Sequence, residues 1–310
     1  MVAVAGRAEG RRQWAVGGGQ WALASLLLVG LTTIGTLAQV TAQKPQPVKA
    51  STLVAVVSRA DASEPQGNMD AVVLVENGKF RQPYPEYNEA AQRKFATQYF
   101  ATGKRYHLTF GGGGVGSATI KGFDRGCNNI HATATVEDNG RVPAHLPMLA
   151  QSSDLYPKEP GSRRAPTDAE RAAINLLVAQ IYRSRGANRA VLRTVVTTNL
   201  TATDLDGDGK LELIGSYTAE SKTKVRKDLL LIAEPAGTGF KPALVKFQAY
   251  KLPPEGFDSA VDFVDQLDLD GDGVGEVFVQ QHGFDAYGYA IYKRSRGIWR
   301  QIYTMTGDAC

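Results

Sequence analysis

Acidic side chains recur at the same spacing in two segments of the chain. Counted from the first aspartate, both segments carry acids at positions 1, 3, 5 and 9 and glycine at positions 4 and 6. The acids are Asp204, Asp206, Asp208 and Glu212 in the first loop (residues 204–212), and Asp268, Asp270, Asp272 and Glu276 in the second loop (residues 268–276). Two metal-free Asp/Gly turns are the alternative interpretation, which the repetition of the whole pattern disfavours.

The spacing suits a calcium ion. Ca²⁺ takes about six to eight oxygen ligands at roughly 2.3–2.6 Å. A loop that curls around the ion can direct side chains 1, 3 and 5 inward, and glycine at position 6 permits the sharp turn. The main-chain carbonyl of position 7, which is Lys210 or Val274, can complete the set. Because carboxylates this close repel each other without a cation, the pattern predicts two Ca²⁺ sites.

An EF-hand shares the first six positions of this pattern but is excluded by the later positions. It needs a bidentate glutamate at position 12 and a helix on each side of the loop. Position 12 is Gly215 after the first loop and Val279 after the second. Apolar residues alternate with other residues around the last acid of each loop, which is typical of a strand leaving the loop.

With an acid at position 9 and strands on both sides, these segments resemble the FG-GAP (VCBS-type, integrin-α-like) repeat family. The resemblance covers residues 196–305, and its fourth acid is glutamate where the family most often has aspartate. It implies that each acidic loop joins the first two strands of a β-propeller blade and binds Ca²⁺. It also implies that this half of the chain is a calcium-binding, and so metal-binding, β-propeller structure.

Each repeat is predicted to supply four strands, which is the strand number of a propeller blade. The predicted strands are residues 200–203, 211–217, 229–233 and 244–249 in the first repeat, and 261–267, 277–281, 289–293 and 299–303 in the second. Closed propellers contain about four to eight blades, and two are counted here. Either the two units form a small non-closed β module, or the N-terminal domain contributes to the assembly.

The whole chain is predicted to be mainly β with a few helices. A small N-terminal α+β or β-rich domain is expected over 43–151, with a helix near residues 88–102 that pairs Phe95 with Tyr99 and ends at Gly103. A linker and a capped helix are expected over 152–190, and the two calcium-loop repeats over 191–310. Thr167 and Glu170 form a capping-box pattern, followed by an apolar stripe of Ala173, Leu176, Leu177, Ile181 and Tyr182.

Residues 1–42 have the three parts of a secretory signal. Arginines up to Arg12 precede an uncharged segment that extends to Lys44, is mostly apolar over residues 21–40, and offers small residues for cleavage after Ala42. The apolar part is longer than the roughly 7–15 residues of a usual signal core, so an uncleaved membrane anchor stays open. The protein is therefore expected to be exported, as a periplasmic or secreted protein or one anchored by this segment.

The chain contains two cysteines, Cys127 and Cys310. In an oxidising compartment such a pair favours a disulfide, which would tie the C-terminus to the N-terminal domain. Two free thiols are the alternative, since neither cysteine has metal-ligand spacing.

Several other features carry no chemistry. The formal net charge of +4 and the short basic clusters give no reason to expect nucleic acid as a partner. The glycine-rich stretch at residues 111–116 is followed by a strand-like segment rather than a helix, so it predicts a hairpin and not a dinucleotide site. Four scattered histidines lack ligand spacing, namely His107, His131, His145 and His282.

The sequence thus favours an exported, calcium-binding, non-enzymatic module that binds a protein or glycan at the cell envelope. Two alternatives remain: an exported hydrolase with a catalytic N-terminal domain and the repeats as scaffold, and a purely structural envelope protein. A cleft gathering polar side chains around His107, His131 or the glycine-rich turn would favour catalysis.

Overall fold

The structure is a computed structural model that describes residues 51–59, 65–85, 87–126, 128–143, 145–153, 157–252, 260–283 and 286–309. The chain divides into the units Met1–Ala42 and Gln43–Cys310, and all described residues belong to the second. The predictions for the signal segment, Cys127 and Cys310 lie outside the described residues. Among the residues that are described, no helix has the length and apolar character needed to cross a membrane.

Seven strands form the N-terminal sheet, and six of them close into an antiparallel barrel. They are Thr52–Ser58 (β1), Gln66–Glu76 (β2), Lys79–Arg81 (β3), Arg105–Phe110 (β4), Gly113–Arg125 (β5), Ile130–Asp138 (β6) and Met148–Gln151 (β7). The strand order is β1-β7-β4-β5-β6-β2-β3, and an additional pairing of β1 with β2 closes the ring. Closure leaves these six strands without a free edge.

Helix α1 (Glu89–Tyr99) contributes its aromatic face to the barrel core. Asn88 caps the helix by accepting the N–H of Ala91 at 3.0 Å. The predicted pairing of Phe95 with Tyr99 is confirmed, with ring centroids 4.9 Å apart. The predicted C-cap at Gly103 is wrong, because the helix ends at Tyr99 and the N–H of Gly103 donates instead to the carbonyl of Ile120.

Helix α2 (Asp168–Ser184) has the predicted capping box, in which Thr167 and Glu170 satisfy each other's main-chain N–H groups. The short helix α3 (Arg189–Leu192) comes after it. The predicted apolar stripe is partly wrong: the buried face comprises Ile174, Val178, Ile181 and Tyr182, whereas Leu176 is 69% exposed. The rotation of α2 is set by the buried Tyr182 hydroxyl, which reaches the main-chain carbonyls of Tyr217 (3.1 Å) and Lys227 (3.0 Å).

Two four-stranded antiparallel sheets make up the C-terminal half. The first sheet contains Val196–Thr203 (β8), Glu212–Glu220 (β9), Val225–Ala236 (β10) and Gly239–Lys251 (β11), and the second contains Ala260–Leu267 (β12), Glu276–His282 (β13), Ala286–Ser295 (β14) and Ile298–Ala309 (β15). In both sheets each strand pairs with the next one along the chain. The eight strands predicted from the repeats are all present.

The barrel, the two sheets and α2 pack face to face. Outward-facing valines of the barrel, such as Val54, Val56 and Val72, share a buried cluster with Phe278 and Ile291 of the second sheet. The opposite face of the second sheet packs against the first sheet, and α2 covers the remaining face of the first sheet. The resulting order is barrel, second sheet, first sheet, helix.

The predicted hairpin at the glycine-rich stretch is confirmed as the β4–β5 turn, and it meets the segment that leaves the barrel. A Cβ on Gly113 would lie 1.9 Å from the main-chain nitrogen of Gly161, and a Cβ on Gly161 would lie 2.0 Å from the carbonyl oxygen of Phe110. The N–H of Gly114 donates to the carbonyl of Glu159 at 3.0 Å. Glycine is needed here because two backbones cross without room for a side chain.

Candidate metal centres

Each acidic loop joins the first two strands of its sheet. The first loop connects β8 to β9 and the second connects β12 to β13, with the ninth-position glutamates, Glu212 and Glu276, starting the returning strands. Strands therefore flank both loops, which agrees with the exclusion of an EF-hand. The glycines at positions 4 and 6 of both loops have positive φ, a conformation that other residues rarely adopt.

In the first loop, three carboxylates converge. One oxygen from each of Asp204, Asp206 and Glu212 lies within 4.8 Å of the others, so the group could hold a metal ion. The two oxygens of Asp204 accept the N–H groups of Gly207 (2.7 Å) and Gly209 (2.9 Å). These bonds fix the curl of the loop, so the acids approach each other by local geometry.

The second loop repeats this arrangement. Asp268, Asp270 and Glu276 each place one oxygen within 4.8 Å of the others. The ninth-position glutamates make equivalent bonds to the second position of their loops, because Glu212 accepts the N–H of Leu205 at 2.8 Å and Glu276 accepts that of Leu269 at 2.7 Å. Both glutamates thereby close their loops from the start of the returning strand.

The ninth-position glutamates are buried, which is unfavourable for two ionised groups. Burial raises the pKa of Glu212 to about 7 and, by the same cause, the pKa of Glu276 to about 7. Burial also raises the pKa of Asp268. One oxygen of Asp206 and one of Asp270 are buried without a hydrogen-bond partner among the described residues. A divalent cation between these acids would favour their ionised forms and supply the missing partner.

Two of the eight predicted acidic ligands stand apart from these groups. Asp208 accepts the main-chain N–H of Lys210 at 2.7 Å and pairs with its ammonium at 2.8 Å. Asp272 accepts the N–H of Val274 at 3.0 Å. The main-chain carbonyls of Lys210 and Val274 stay predicted ligands.

Sequence reasoning missed two cationic side chains beside the loops. The ammonium of Lys293 on β14 pairs with Asp270, with Asp272 at 2.8 Å and with Glu276 at 3.0 Å. Burial acts to lower the pKa of Lys293, but the hydrogen bonds to these three carboxylates outweigh it and raise the pKa above its ordinary value. Arg294 pairs with Asp206 of the first loop at 3.0 Å. Neither residue belongs to a recognisable sequence motif, and only the pairing of the strands places them beside the loops.

A buried polar cluster connects the loops with the barrel. Asp265 on β12 is fully buried, and both its oxygens accept the N–H of Gly111 in the barrel turn, at 2.8 and 2.9 Å. Its neighbour Gln266 donates to the Thr203 hydroxyl at 2.8 Å and to the Asp204 carbonyl at 2.7 Å. The N–H of Gly275 donates to the carbonyl of Leu205 at 2.7 Å, which joins the second loop directly to the first.

Arg163 completes this cluster. Its guanidinium lies 4.5 Å from the ring centroid of Phe110 and 4.6 Å from that of Phe263, and it donates to the carbonyl of Val264 and to Asp265. Burial lowers the pKa of Arg163, although Asp265 acts in the opposite direction. Burial raises the pKa of Asp265 to about 6 despite the nearby arginine and the Gly111 N–H.

The histidines contribute to neither acidic group among the described residues. His131 pairs with Asp70, whose other oxygen accepts the hydroxyls of Tyr287 (3.1 Å) and Tyr289 (3.0 Å) where the barrel meets the second sheet. His282 pairs with Asp262 at 3.4 Å. The glycine-rich turn, a suggested catalytic centre, is covered by the backbone of residues 159–163.

A separate cleft lies between the two sheets, away from the acidic loops. Its lining includes Thr198, Ser216, Arg226, Asp228, Lys246 and Val261, and none of the described residues that line it is a histidine or a cysteine. Arg226 and Asp228 pair with each other at 3.0 Å, so their charges are already satisfied within the cleft.

Comparison of the chain with protein-family models, with curated proteins and with solved structures found no match.

Proposed function

We propose that this chain is an exported, calcium-binding protein without enzymatic activity, whose acidic loops stabilise a module that binds a protein or glycan at the cell envelope. The proposal includes the assignment of the two sheets as FG-GAP-like repeats. The observation that carries it is the convergence of three carboxylates, one of them a buried glutamate, at the same place in both sheets.

The donor set favours calcium over other metals. Every side-chain ligand in the two groups is a carboxylate oxygen, and oxygen is the ligand atom that Ca²⁺ and Mg²⁺ prefer, whereas zinc and copper favour nitrogen and sulfur. Mg²⁺ requires near-ideal octahedral geometry and keeps several waters. Three carboxylates from one nine-residue loop, with a main-chain carbonyl as a further predicted ligand, suit the larger and more variable coordination of Ca²⁺ better.

Three observations disfavour the hydrolase alternative. Segment 159–163 occupies the space beside the glycine-rich turn, and His131 pairs with Asp70 at the interface between the barrel and the second sheet. The cleft between the sheets offers no histidine or cysteine to activate a nucleophile. Screening the purified chain on glycan arrays and against envelope extracts, with Ca²⁺ and with chelator, would test the binding role.

Thermal unfolding of the full chain in Ca²⁺, in Mg²⁺ and in chelator tests the metal. A ligand that binds only the folded state stabilises it by RT ln(1 + [L]/Kd), about 0.4–3 kcal/mol per site at 1 mM Ca²⁺ for a Kd on the order of 10⁻⁵–10⁻³ M. We expect the highest melting temperature in Ca²⁺ and a smaller rise in Mg²⁺. Equal melting temperatures in all three conditions would exclude the calcium assignment.

A further inference from the structure

The two loops differ at one position that strand register makes equivalent. In the second sheet the last residues paired between β13 and β14 at the loop end are Val277 and Tyr292, so the next positions, Glu276 and Lys293, face each other. In the first sheet the corresponding pair is Leu213 with Ala233, which is followed by Glu212 and Glu234. The position that carries an ammonium beside the second loop therefore carries a carboxylate beside the first.

In the second loop this ammonium is paired with most of the acidic side chains. Lys293 contacts two of the three converging carboxylates, Asp270 and Glu276, and also Asp272. The Glu276 side chain is fully buried and the Lys293 side chain is only 19% exposed. The chain thus supplies its own cation beside two of the three acids that would bind a metal ion.

The first loop has no matching contact among the described residues. Arg294 touches one of its converging acids, Asp206, and directs its other nitrogen to Glu234 at 3.0 Å. Lys210 binds Asp208, outside the group. Asp204 and the buried Glu212 receive only main-chain N–H groups in the bonds described for them. Two of the three converging acids of the first loop, Asp204 and Glu212, therefore have no cationic side chain among these bonds, whereas in the second loop this holds only for Asp268.

We infer that the two loops are unequal: the first is the exchangeable Ca²⁺ site, whereas Ca²⁺ at the second must displace the Lys293 ammonium. The inference rests on the proposed calcium function. Displacement breaks the ion pairs of Lys293 with Asp270, Asp272 and Glu276 and leaves a positive charge close to the incoming Ca²⁺, so affinity falls at the second loop alone.

Calorimetric Ca²⁺ titration of the full chain and four variants tests this inference. The variants are Glu212→Gln, Glu276→Gln, Lys293→Met and, as a matched control, Lys224→Met, which removes an exposed lysine paired with Glu220. In the parent chain we expect one site at least about tenfold tighter than any second site. That site should be lost in Glu212→Gln and kept in Glu276→Gln.

Lys293→Met keeps an apolar stem of similar length and removes the ammonium. We expect it to raise the affinity of the second loop by at least about tenfold, to near that of the first, and Lys224→Met to match the parent chain. Two equal sites in the parent chain would overturn the inference while leaving the calcium function intact. Loss of the tight site in Glu276→Gln rather than in Glu212→Gln would do the same.

Absence of Ca²⁺ binding in the parent chain and in every variant would overturn the calcium function itself. The parent and glutamate variants decide the assignment even if Lys293→Met does not fold.

Discussion

Replacing Arg163 by methionine should be among the most damaging single changes in this protein. The arginine side chain is 2% exposed, lies between Phe110 and Phe263, and is the cationic partner of the fully buried Asp265. It belongs to the segment after the barrel and contacts both the barrel turn and the second sheet. Methionine preserves much of the apolar stem but leaves a buried carboxylate without its counter-charge.

The magnitude depends on the burial of the pair. Removing one partner of a buried ion pair costs about 3–5 kcal/mol, because the other charge is left uncompensated. The cost should depend on pH with a definite sign. Burial raises the pKa of Asp265 from 3.8 to about 6 in the folded chain, and loss of Arg163 removes an opposing effect and raises it further. A raised carboxyl pKa means that the folded state favours the protonated form, so stability is lost as the pH rises through it.

Urea unfolding of the parent chain and of Arg163→Met at pH 5, 6.5 and 8, with Ca²⁺ present, measures this effect. We expect the variant to lose most stability at pH 8 and clearly less at pH 5, where Asp265 can bind a proton. Arg164→Met is the matched control: Arg164 forms an exposed pair with Glu170 at 2.7 Å, and loss of such a pair costs about 1 kcal/mol or less. Equal losses for the two arginine variants, or a loss in Arg163→Met that is the same at all three pH values, would refute the reasoning.

Three further predictions address other parts of the chain. Gly113→Ala should destabilise the fold by at least about 1–3 kcal/mol in urea unfolding, because the added Cβ would lie 1.9 Å from the Gly161 nitrogen. Gly122→Ala on the same strand is the control and should be nearly neutral, because there is open space around its Cβ. Similar losses of stability in both variants would contradict the backbone crossing. In chelator, thermal stability should fall as the pH rises from 5 to 8, because the pKa of Glu212 and that of Glu276 are raised to about 7 in the folded chain. Saturating Ca²⁺ should make the stability less dependent on pH. The same pH profile with and without Ca²⁺ would argue against these glutamates as ligands. Thiol titration of the denatured, periplasmically expressed chain should detect no free thiol if Cys127 and Cys310 form the predicted disulfide, and two thiols per chain would exclude it.

Features encoded by short-range patterns were predictable from the sequence. The acidic loops, the strands around them and the Thr167 capping box each depend on residues within about a dozen positions. The convergence of Asp204, Asp206 and Glu212 results from the same local spacing. These parts needed no knowledge of distant segments.

Features that depend on register or on distant segments were not predictable. Lys293 is an ordinary strand residue until the β13–β14 pairing places it opposite Glu276. Arg163 lies in a segment predicted to be a polar linker, and only the meeting of three separate segments buries it with Asp265. Closure of the barrel requires β1 to pair with β7, about a hundred residues away. The apolar stripe of α2 failed for a related reason, since two overlapping stripes share helical spacing and the sheet beneath selects one.

The valine-rich outer face of the barrel is exposed to solvent for part of the time during synthesis of the chain. That face is covered by the second sheet, whose strands begin at Ala260 and are synthesised well after those of the barrel. During synthesis from the N-terminus, a barrel that forms early exposes an apolar surface until β12–β15 have been made. A chain that stops after β11 would keep this surface exposed and become a substrate for chaperones, proteases or self-association rather than a stable shorter protein.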